Sequence, residues 1–182
     1  MAARNPRAGG RDMVLSMLVL MIPIALIVWF FQTVPEEEVE PVSVGPHLER
    51  AQAESPYPVL HPVNPPDDWV PVRVAWAADG QRWIDGEPAL GNSWQLGYLL
   101  PDGVYVGLQQ RDRATDAFVH RVTREGTRSD GVLQVGQREW EFWASSDRRT
   151  NSLVWRDGEM VAVVTADADL EVLQAFASIL DD

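Results

Sequence analysis

Two glutamates on one predicted strand are the residues of this chain best placed to do chemistry. Glu139 and Glu141 stand two positions apart. Alternate side chains of a strand share a face, so the two carboxylates would lie about 7 Å from each other. Inverting glycosidases use an acid and a base at about that separation. Trp140 and Phe142 point to the other face, however, and the glutamates are more simply the solvent-facing side of a half-buried strand.

Two tryptophans are the other candidates, because a flat indole ring can stack on a sugar. The chain has eight tryptophans, and most of them fall at inward-facing strand positions, where a bulky aromatic residue fills the core. Trp143 instead shares the glutamate face of its strand, and Trp83 lies in a stretch without clear periodicity. The predicted ligand-binding residues are therefore Trp143, Trp83, Glu139 and Glu141, and no catalytic residue is assigned.

Motifs for a metal or a cofactor are missing from the sequence. There is no cysteine, and the three histidines do not have the spacing of a metal site. Glycine-rich phosphate loops are also missing. Ser145-Ser146-Asp147 contains residue types of a nucleophilic triad, but its surroundings are typical of a polar loop between strands. We therefore predict neither a metal nor a cofactor.

The elements that must position these residues are mainly β-hairpins. In Pro101-Asp102-Gly103, proline sets φ at the first corner of a turn and glycine closes it. Asp157-Gly158 is a strong two-residue hairpin signal, and Gly136-Gln137 marks a third turn. A further strand is predicted at Val72, Val74 and Trp76. The three hairpins pair residues 94–100 with 104–108, residues 132–135 with 138–144, and residues 153–156 with 159–164.

Two helices interrupt the strands. The first is predicted to begin near Thr115 and to stop at Gly126, which would form a left-handed cap. The second is predicted over residues 170–180, where apolar residues recur at helical spacing. Strands joined by tight turns, with helices between them, predict the α+β class: an antiparallel sheet of six to seven strands with helices packed on it.

An unbroken apolar stretch at residues 13–31 predicts a transmembrane helix. Its length as a helix is about 28 Å, close to the thickness of a hydrocarbon core. Arg4, Arg7 and Arg11 precede it, so the positive-inside rule predicts a cytoplasmic N-terminus and an extracytoplasmic remainder. A cleaved signal peptide is the alternative, but its apolar region would be shorter and would end at a small-x-small site. We therefore expect an uncleaved single-pass anchor in the plasma membrane.

The predicted organisation is a cytoplasmic N-terminus at 1–12, the membrane helix at 13–31, an extended linker at 32–56 and one domain at 57–182. Most of the 13 prolines lie near the linker, and proline favours extended chain. A short helix could form around 47–53. The net charge of −12 repels phosphate backbones, so nucleic-acid binding is not expected. All basic residues are arginine, as expected of a GC-rich genome.

Several short motifs spread over the chain have a recognisable order: Arg11-Asp12-Met13, Tyr57-Pro58-Val59-Leu60, Trp69, Trp94-Gln95-Leu96-Gly97-Tyr98, Pro101-Asp102-Gly103, Tyr105-Val106-Gly107-Leu108, Trp140 and Ser145-Ser146-Asp147. Together they resemble domain of unknown function family 4245. This resemblance implies a membrane- or signal-anchored actinobacterial envelope protein, and it implies no activity. The order of strands and helices is also similar to the Mog1/PsbP-like α/β/α sandwich, a likeness of topology alone.

The function expected from the sequence is that of a non-catalytic binding or accessory module of the cell envelope. A tether, a spacer and many tryptophans favour a partner such as an envelope protein or a glycan, beside the lipid bilayer that holds residues 13–31. The alternative is an envelope hydrolase that acts through Glu139 and Glu141. An enzyme would present convergent polar residues in a pocket, and a module that binds a protein would present an exposed apolar patch.

Overall fold

A computed structural model describes residues 8–32 and 40–182 of the chain. The chain divides into two compact units, residues 1–39 and 40–182, and each is described by itself. Arg4 and Arg7, on which the predicted orientation partly depends, lie outside the described residues. So do the linker glutamates at positions 36–38.

The first unit contains one long helix, α1 (Ala8–Gln32), with Pro23 inside it. Within α1, the segment Met13–Phe30 is long and apolar enough to cross a membrane, and its apolar side chains are exposed. The helix extends the predicted 13–31 span by a few residues at its N-terminal end. This finding supports a membrane anchor by length and composition.

The second unit is an antiparallel sheet with helices on both of its faces. Its elements in chain order are α2 (Gly45–Glu54), β1 (His61–Pro62), β2 (Val70–Ala77), β3 (Ser93–Leu99), β4 (Tyr105–Arg111), α3 (Asp116–Val122), β5 (Thr127–Arg128), β6 (Leu133–Val135), β7 (Arg138–Ala144), β8 (Asn151–Asp157), β9 (Met160–Ala166), α4 (Leu170–Ser178) and β10 (Leu180–Asp181).

The main sheet has the strand order β2-β3-β4-β9-β8-β7-β5, with β6 also paired to β7. All of its pairs are antiparallel. The three predicted hairpins are present as β3–β4, β6–β7 and β8–β9, which confirms the α+β class. The pairing of β4 with β9 joins the two halves of the sheet, and β1 pairs separately with β10.

The two faces of the sheet differ in composition. One face is apolar and packs against α2 and α4, in a core that includes Leu96, Leu108 and Phe176. The other face carries a smaller apolar cluster under α3, formed by residues of the helix and of the three neighbouring strands: Phe118, Val119, Val122, Trp143, Val154, Val161 and Val163. Because α3 has only seven residues, it covers part of this second face.

The structure refines the sequence predictions at helix α2 and at the ends of α3 and α4. Helix α2 corresponds to the short helix predicted around 47–53, but it belongs to the folded unit and not to an extended linker, since its Ala51 is fully buried in the core. Helix α4 ends at Ser178, because the residues after it pair with β1. After α3, the left-handed conformation is adopted by Arg124 and Glu125 (φ 54° and 55°) and not by Gly126.

Candidate functional site

A cleft of about 790 Å³ opens on the α3 face of the sheet. Its volume lies within the range of small-molecule binding sites. The walls come from four strands of the sheet, from α3 and the turn after it, and from three loops: Arg73, Gln95, Gly103, Val104, Tyr105, Gly107, Gln109, Arg121, Val122, Arg124, Thr150, Thr165, Ala166 and Asp167. The cleft is therefore built from residues far apart in the sequence.

The cleft exists because the second face of the sheet changes character from one half to the other. Under α3 the face presents valines on β8 and β9. On β3 and β4 the positions of the same face are polar or glycine, since Gln95 pairs with Gln109 and Gly97 with Gly107. Glycine has no side chain, so the floor of the sheet is lowest at this glycine pair.

The ring of Tyr105 lies over this pair of glycines. A Cβ atom added to Gly97 would lie 2.6 Å from two carbons of the tyrosine ring, and one added to Gly107 would lie 3.1 Å from a third. A side chain at Gly97 could not coexist with this ring position. Tyr105 remains 39% exposed, so one side of its ring faces the sheet and the other side is open to the cleft.

Polar neighbours hold the hydroxyl end of Tyr105. Partial burial raises the pKa of this tyrosine, while the charge of Arg73 and a hydrogen bond with Gln95 act in the opposite direction. Gln95 is itself buried (5% exposed). Arg73, Gln95 and Tyr105 therefore form one polar group on the floor of the cleft, contributed by three adjacent strands.

Three arginines and one aspartate supply the charges of the cleft. Arg124 lies 3.5 Å from the Oδ2 atom of Asp167, and the other carboxylate oxygen of Asp167 accepts a hydrogen bond from Thr150. Arg73 and Arg121 form no ion pair with any residue in the described ranges. The cleft is thus positively charged, although the whole chain carries a net charge of −12.

A buried arginine next to the cleft helps to position α3. The Nε atom of Arg111 donates to the hydroxyl of Ser93 (2.9 Å), and its guanidinium lies 4.7 Å from the centre of the Phe118 ring. Arg121 lies over the same ring at 5.9 Å. Burial, followed by the nearby charge of Arg121, lowers the pKa of Arg111. Two positive groups therefore flank one aromatic residue of α3.

The structure places two of the predicted ligand-binding residues together, outside the cleft lining. Trp143 is buried under α3 (9% exposed), and its indole N–H donates to Glu141 at 3.1 Å. Glu141 also lies within ion-pair distance of Arg128 and Arg156. These contacts are those of a structural polar group at the edge of the second core, because α3 covers the strand face that had been predicted to be wet.

The other two predicted residues lie apart. Glu139 is exposed on the same strand face as Glu141, opposite Gln134 of β6. Trp83 is half-buried in the connection between β2 and β3, where its backbone N–H donates to the carbonyl of Glu87. The four residues therefore do not form one site, and none of them lines the cleft.

The residues of the cleft were not singled out from the sequence, although a signal for them existed. Once the Pro101-Asp102-Gly103 turn fixes the register of the first hairpin, Gly97 must face Gly107 and Gln95 must face Gln109. Facing glycines and facing amides on one side of a hairpin indicate a hollow polar surface. The contributions of Arg121 and Thr165 had no such local signal.

The fold and the cleft together define a class of protein: an α+β domain with a ligand-sized cleft on its sheet, preceded in the chain by a helix suited to a membrane. The chain belongs to the family described as protein of unknown function (DUF4245), whose sequence model matches residues 7–180. This match confirms the family resemblance. No curated protein and no solved structure gives a significant match, so the Mog1/PsbP likeness and the actinobacterial origin stay predictions.

Proposed function

We propose that this protein is a non-catalytic binding or accessory module of the cell envelope. In this proposal α1 holds the chain in the plasma membrane, the unit at residues 40–182 lies outside the cytoplasm, and the cleft on its α3 face receives the ligand. The observation that carries the proposal is the lining of the cleft, whose side chains are suited to bind a ligand and whose one carboxylate is already engaged.

Apart from Asp167, the polar side chains that line the cleft belong to arginine, glutamine, tyrosine and threonine residues. Such groups orient a ligand by hydrogen bonds and charge. A general base must be free to take a proton from the substrate, but both oxygens of Asp167 have partners, namely Thr150 and Arg124. The chemistry of this lining therefore favours recognition over catalysis.

The alternative function, an envelope hydrolase that acts through Glu139 and Glu141, has less support from the geometry. Both residues lie outside the cleft. Glu141 contacts Trp143 and two arginines, which hold its carboxylate as an ion-pair partner. Turnover of a cell-wall polymer by the purified protein, abolished by Glu139→Gln, would favour this alternative over the binding module.

The proposed location rests on α1 and on the charges around it. A single apolar helix with arginines before it and glutamates after it favours an N-terminus in the cytoplasm. The same arrangement would bring the cleft into contact with envelope polymers and proteins. An acidic exterior domain is also repelled by anionic headgroups, so we do not propose the lipid surface as the ligand of the cleft.

Single-cysteine labelling tests the location and the occupied cleft together, because the natural chain has no cysteine. Gln109→Cys places a thiol in the cleft, and Ser178→Cys places a control thiol at an exposed position of α4. A membrane-impermeant maleimide should label both variants in intact cells. The cleft thiol should react more slowly in cells than in the purified protein, whereas the control thiol should react equally in both.

Two results would count against the proposal. If neither thiol reacts in intact cells but both react after lysis, the domain is not outside the cytoplasm. If the cleft thiol and the control thiol show the same ratio of rates in cells and in the purified protein, the cleft is not occupied in the envelope.

A further inference from the structure

We infer that the cleft recognises an anionic sugar, that is, a sugar ring that carries a phosphate or a carboxylate group. The inference rests on the proposed binding function of the cleft and specifies the chemistry of its ligand. It is carried by two arginines without carboxylate partners and by an aromatic ring with amides beside it, all on the walls of one cleft.

The positive charge of the cleft is not balanced by carboxylates. Of the three cleft arginines, only Arg124 has an ion-pair partner among the described residues. Arg73 and Arg121 leave two guanidinium groups open to a ligand. Guanidinium groups match the geometry of carboxylates and phosphates with two parallel hydrogen bonds. In a protein that is acidic as a whole, a local positive site of this kind selects for an anion.

Two arginines lie close together at the side of the cleft formed by α3. Arg111 and Arg121 lie on the same Phe118 ring, at 4.7 and 5.9 Å from its centre. Like charges at close range destabilise each other. Arg111 is buried, and its Nε atom donates to the neutral hydroxyl of Ser93. An anion bound at Arg121 would relieve this repulsion.

The cleft also offers contacts suited to the uncharged ring of a sugar. The open side of the Tyr105 ring supplies a flat apolar surface of the kind on which a sugar ring stacks. Gln95, Gln109 and Thr165 line the same cleft, and carboxamides and hydroxyls both donate and accept hydrogen bonds, as sugar hydroxyls require. The facing glycines Gly97 and Gly107 make room for this arrangement.

The turn after α3 supports the same reading of the site. Arg124 and Glu125 both adopt a left-handed conformation that residues other than glycine rarely take. Such strain persists where the surrounding structure over-determines it. Here the turn brings Arg124 to the cleft wall, where its ion pair with Asp167 partly offsets the negative charge that would otherwise compete with an anionic ligand.

The test is a titration of the full chain in nanodiscs of neutral lipid, followed by isothermal calorimetry. The probes are glucose 1-phosphate, glucuronate, neutral glucose and glycerol 3-phosphate. We expect at least one of the two anionic sugars to bind about tenfold or more tightly than glucose, because a charge-assisted hydrogen bond adds that much or more to an affinity. Its affinity should also fall with added salt.

Variants assign the binding to the cleft. Arg73→Gln and Arg121→Gln should each weaken binding of the anionic sugar by about tenfold, and Tyr105→Leu should weaken glucose and the anionic sugars together. Arg82→Gln, which removes an exposed arginine outside the cleft, is the matched control and should change nothing. Circular dichroism establishes that each variant is folded.

Three results would overturn the inference. If glucose and the anionic sugars bind equally tightly, and the arginine variants do not change their affinities, the cleft does not select its ligand by charge. Glycerol 3-phosphate bound as tightly as glucose 1-phosphate would exclude the sugar ring and identify a phosphate such as that of a lipid headgroup. Failure of all four probes would reject the ligand class, while the thiol-protection experiment decides separately whether the cleft is occupied.

Discussion

Removal of the Phe176 side chain is the most direct test of how the apolar face of the sheet is held together. Phe176 lies on α4 and is fully buried. Its ring stacks on Trp69 at 5.7 Å and meets Tyr98 edge-on at 6.0 Å. Tyr98 belongs to β3, so this aromatic group connects the last helix of the chain to the first hairpin.

The expected cost of Phe176→Ala follows from these contacts. Truncation of a buried phenylalanine to alanine lowers the free energy of unfolding by about 3–5 kcal/mol, through lost apolar burial and the cavity left behind. The loss of two aromatic neighbours places the expected value in the upper part of that range. For a domain of this size, the melting temperature should fall by about 10–20 °C.

The measurement is thermal and urea unfolding of the segment 40–182, which forms a compact unit of its own. Ser178→Ala changes an exposed position of the same helix and should stay within about 0.5 kcal/mol of the natural sequence. Phe176→Leu keeps most of the apolar volume and should cost about 1.5 kcal/mol or less. This milder variant keeps the test valid if the alanine variant does not fold.

A melting temperature of Phe176→Ala equal to that of Ser178→Ala would refute the reasoning. It would show that α4 is not docked on the sheet in solution. Equal losses for the leucine and alanine variants would show instead that the aromatic stacking, and not the buried volume, determines the stability of this interface.

Three further predictions concern the floor of the cleft, the docking of α2 and the topology. Gly97→Ala should displace the ring of Tyr105, which would appear as shifted tyrosine signals in NMR spectra. The free energy of unfolding should fall by about 1 kcal/mol, because the hydrogen bond of the Tyr105 side chain is lost. This loss should vanish when Gly97→Ala is made in a Tyr105→Ala background, as a double-mutant cycle would show. The pKa of Glu54 is lowered by its hydrogen bonds with Arg50 and Trp76. Ionised Glu54 therefore stabilises the fold at pH values above the ordinary glutamate pKa of about 4.3. The natural sequence should be more stable than the Glu54→Gln variant there, and this difference should shrink as the pH falls through the lowered pKa of Glu54. A difference in stability that is independent of pH would contradict this prediction. A C-terminal alkaline phosphatase fusion should be active, and a reporter that works only in the cytoplasm should be silent; the reverse pattern would reject the proposed orientation.

Much of the fold could be predicted because its signals are local. Turn residues such as Asp157-Gly158 determine hairpins through the φ values of a few adjacent residues, and β8–β9 formed as predicted. The start of α3 is also local, since Thr115 caps the helix by accepting a hydrogen bond from the N–H of Phe118. Its end differs from the prediction, because the left-handed residues are Arg124 and Glu125 and not Gly126; Gly126 is instead a tightly packed position, where a Cβ would lie 3.0 Å from the carbonyl oxygen of Thr123.

The candidate site shows the same division. Alternation along one strand could say that Glu139, Glu141 and Trp143 share a face, and they do. It could not say that α3 would cover Trp143, because that contact depends on the packing of a helix that is distant in the sequence. Trp83 could not be placed at all, since its loop lacks the periodicity from which a prediction could start.

The apolar helix suited to a membrane, the three hairpins, the α+β class and the family could all be predicted, because each follows from local periodicity, turn chemistry or motif order. The pairing of β4 with β9, the docking of α2 on the sheet, and the meeting of Arg73, Tyr105 and Arg121 in one cleft are seen only in the folded domain. These contacts join segments separated by many residues. Their formation is governed by the burial of apolar surface and the length of connecting chain, which the residues of a single segment do not encode.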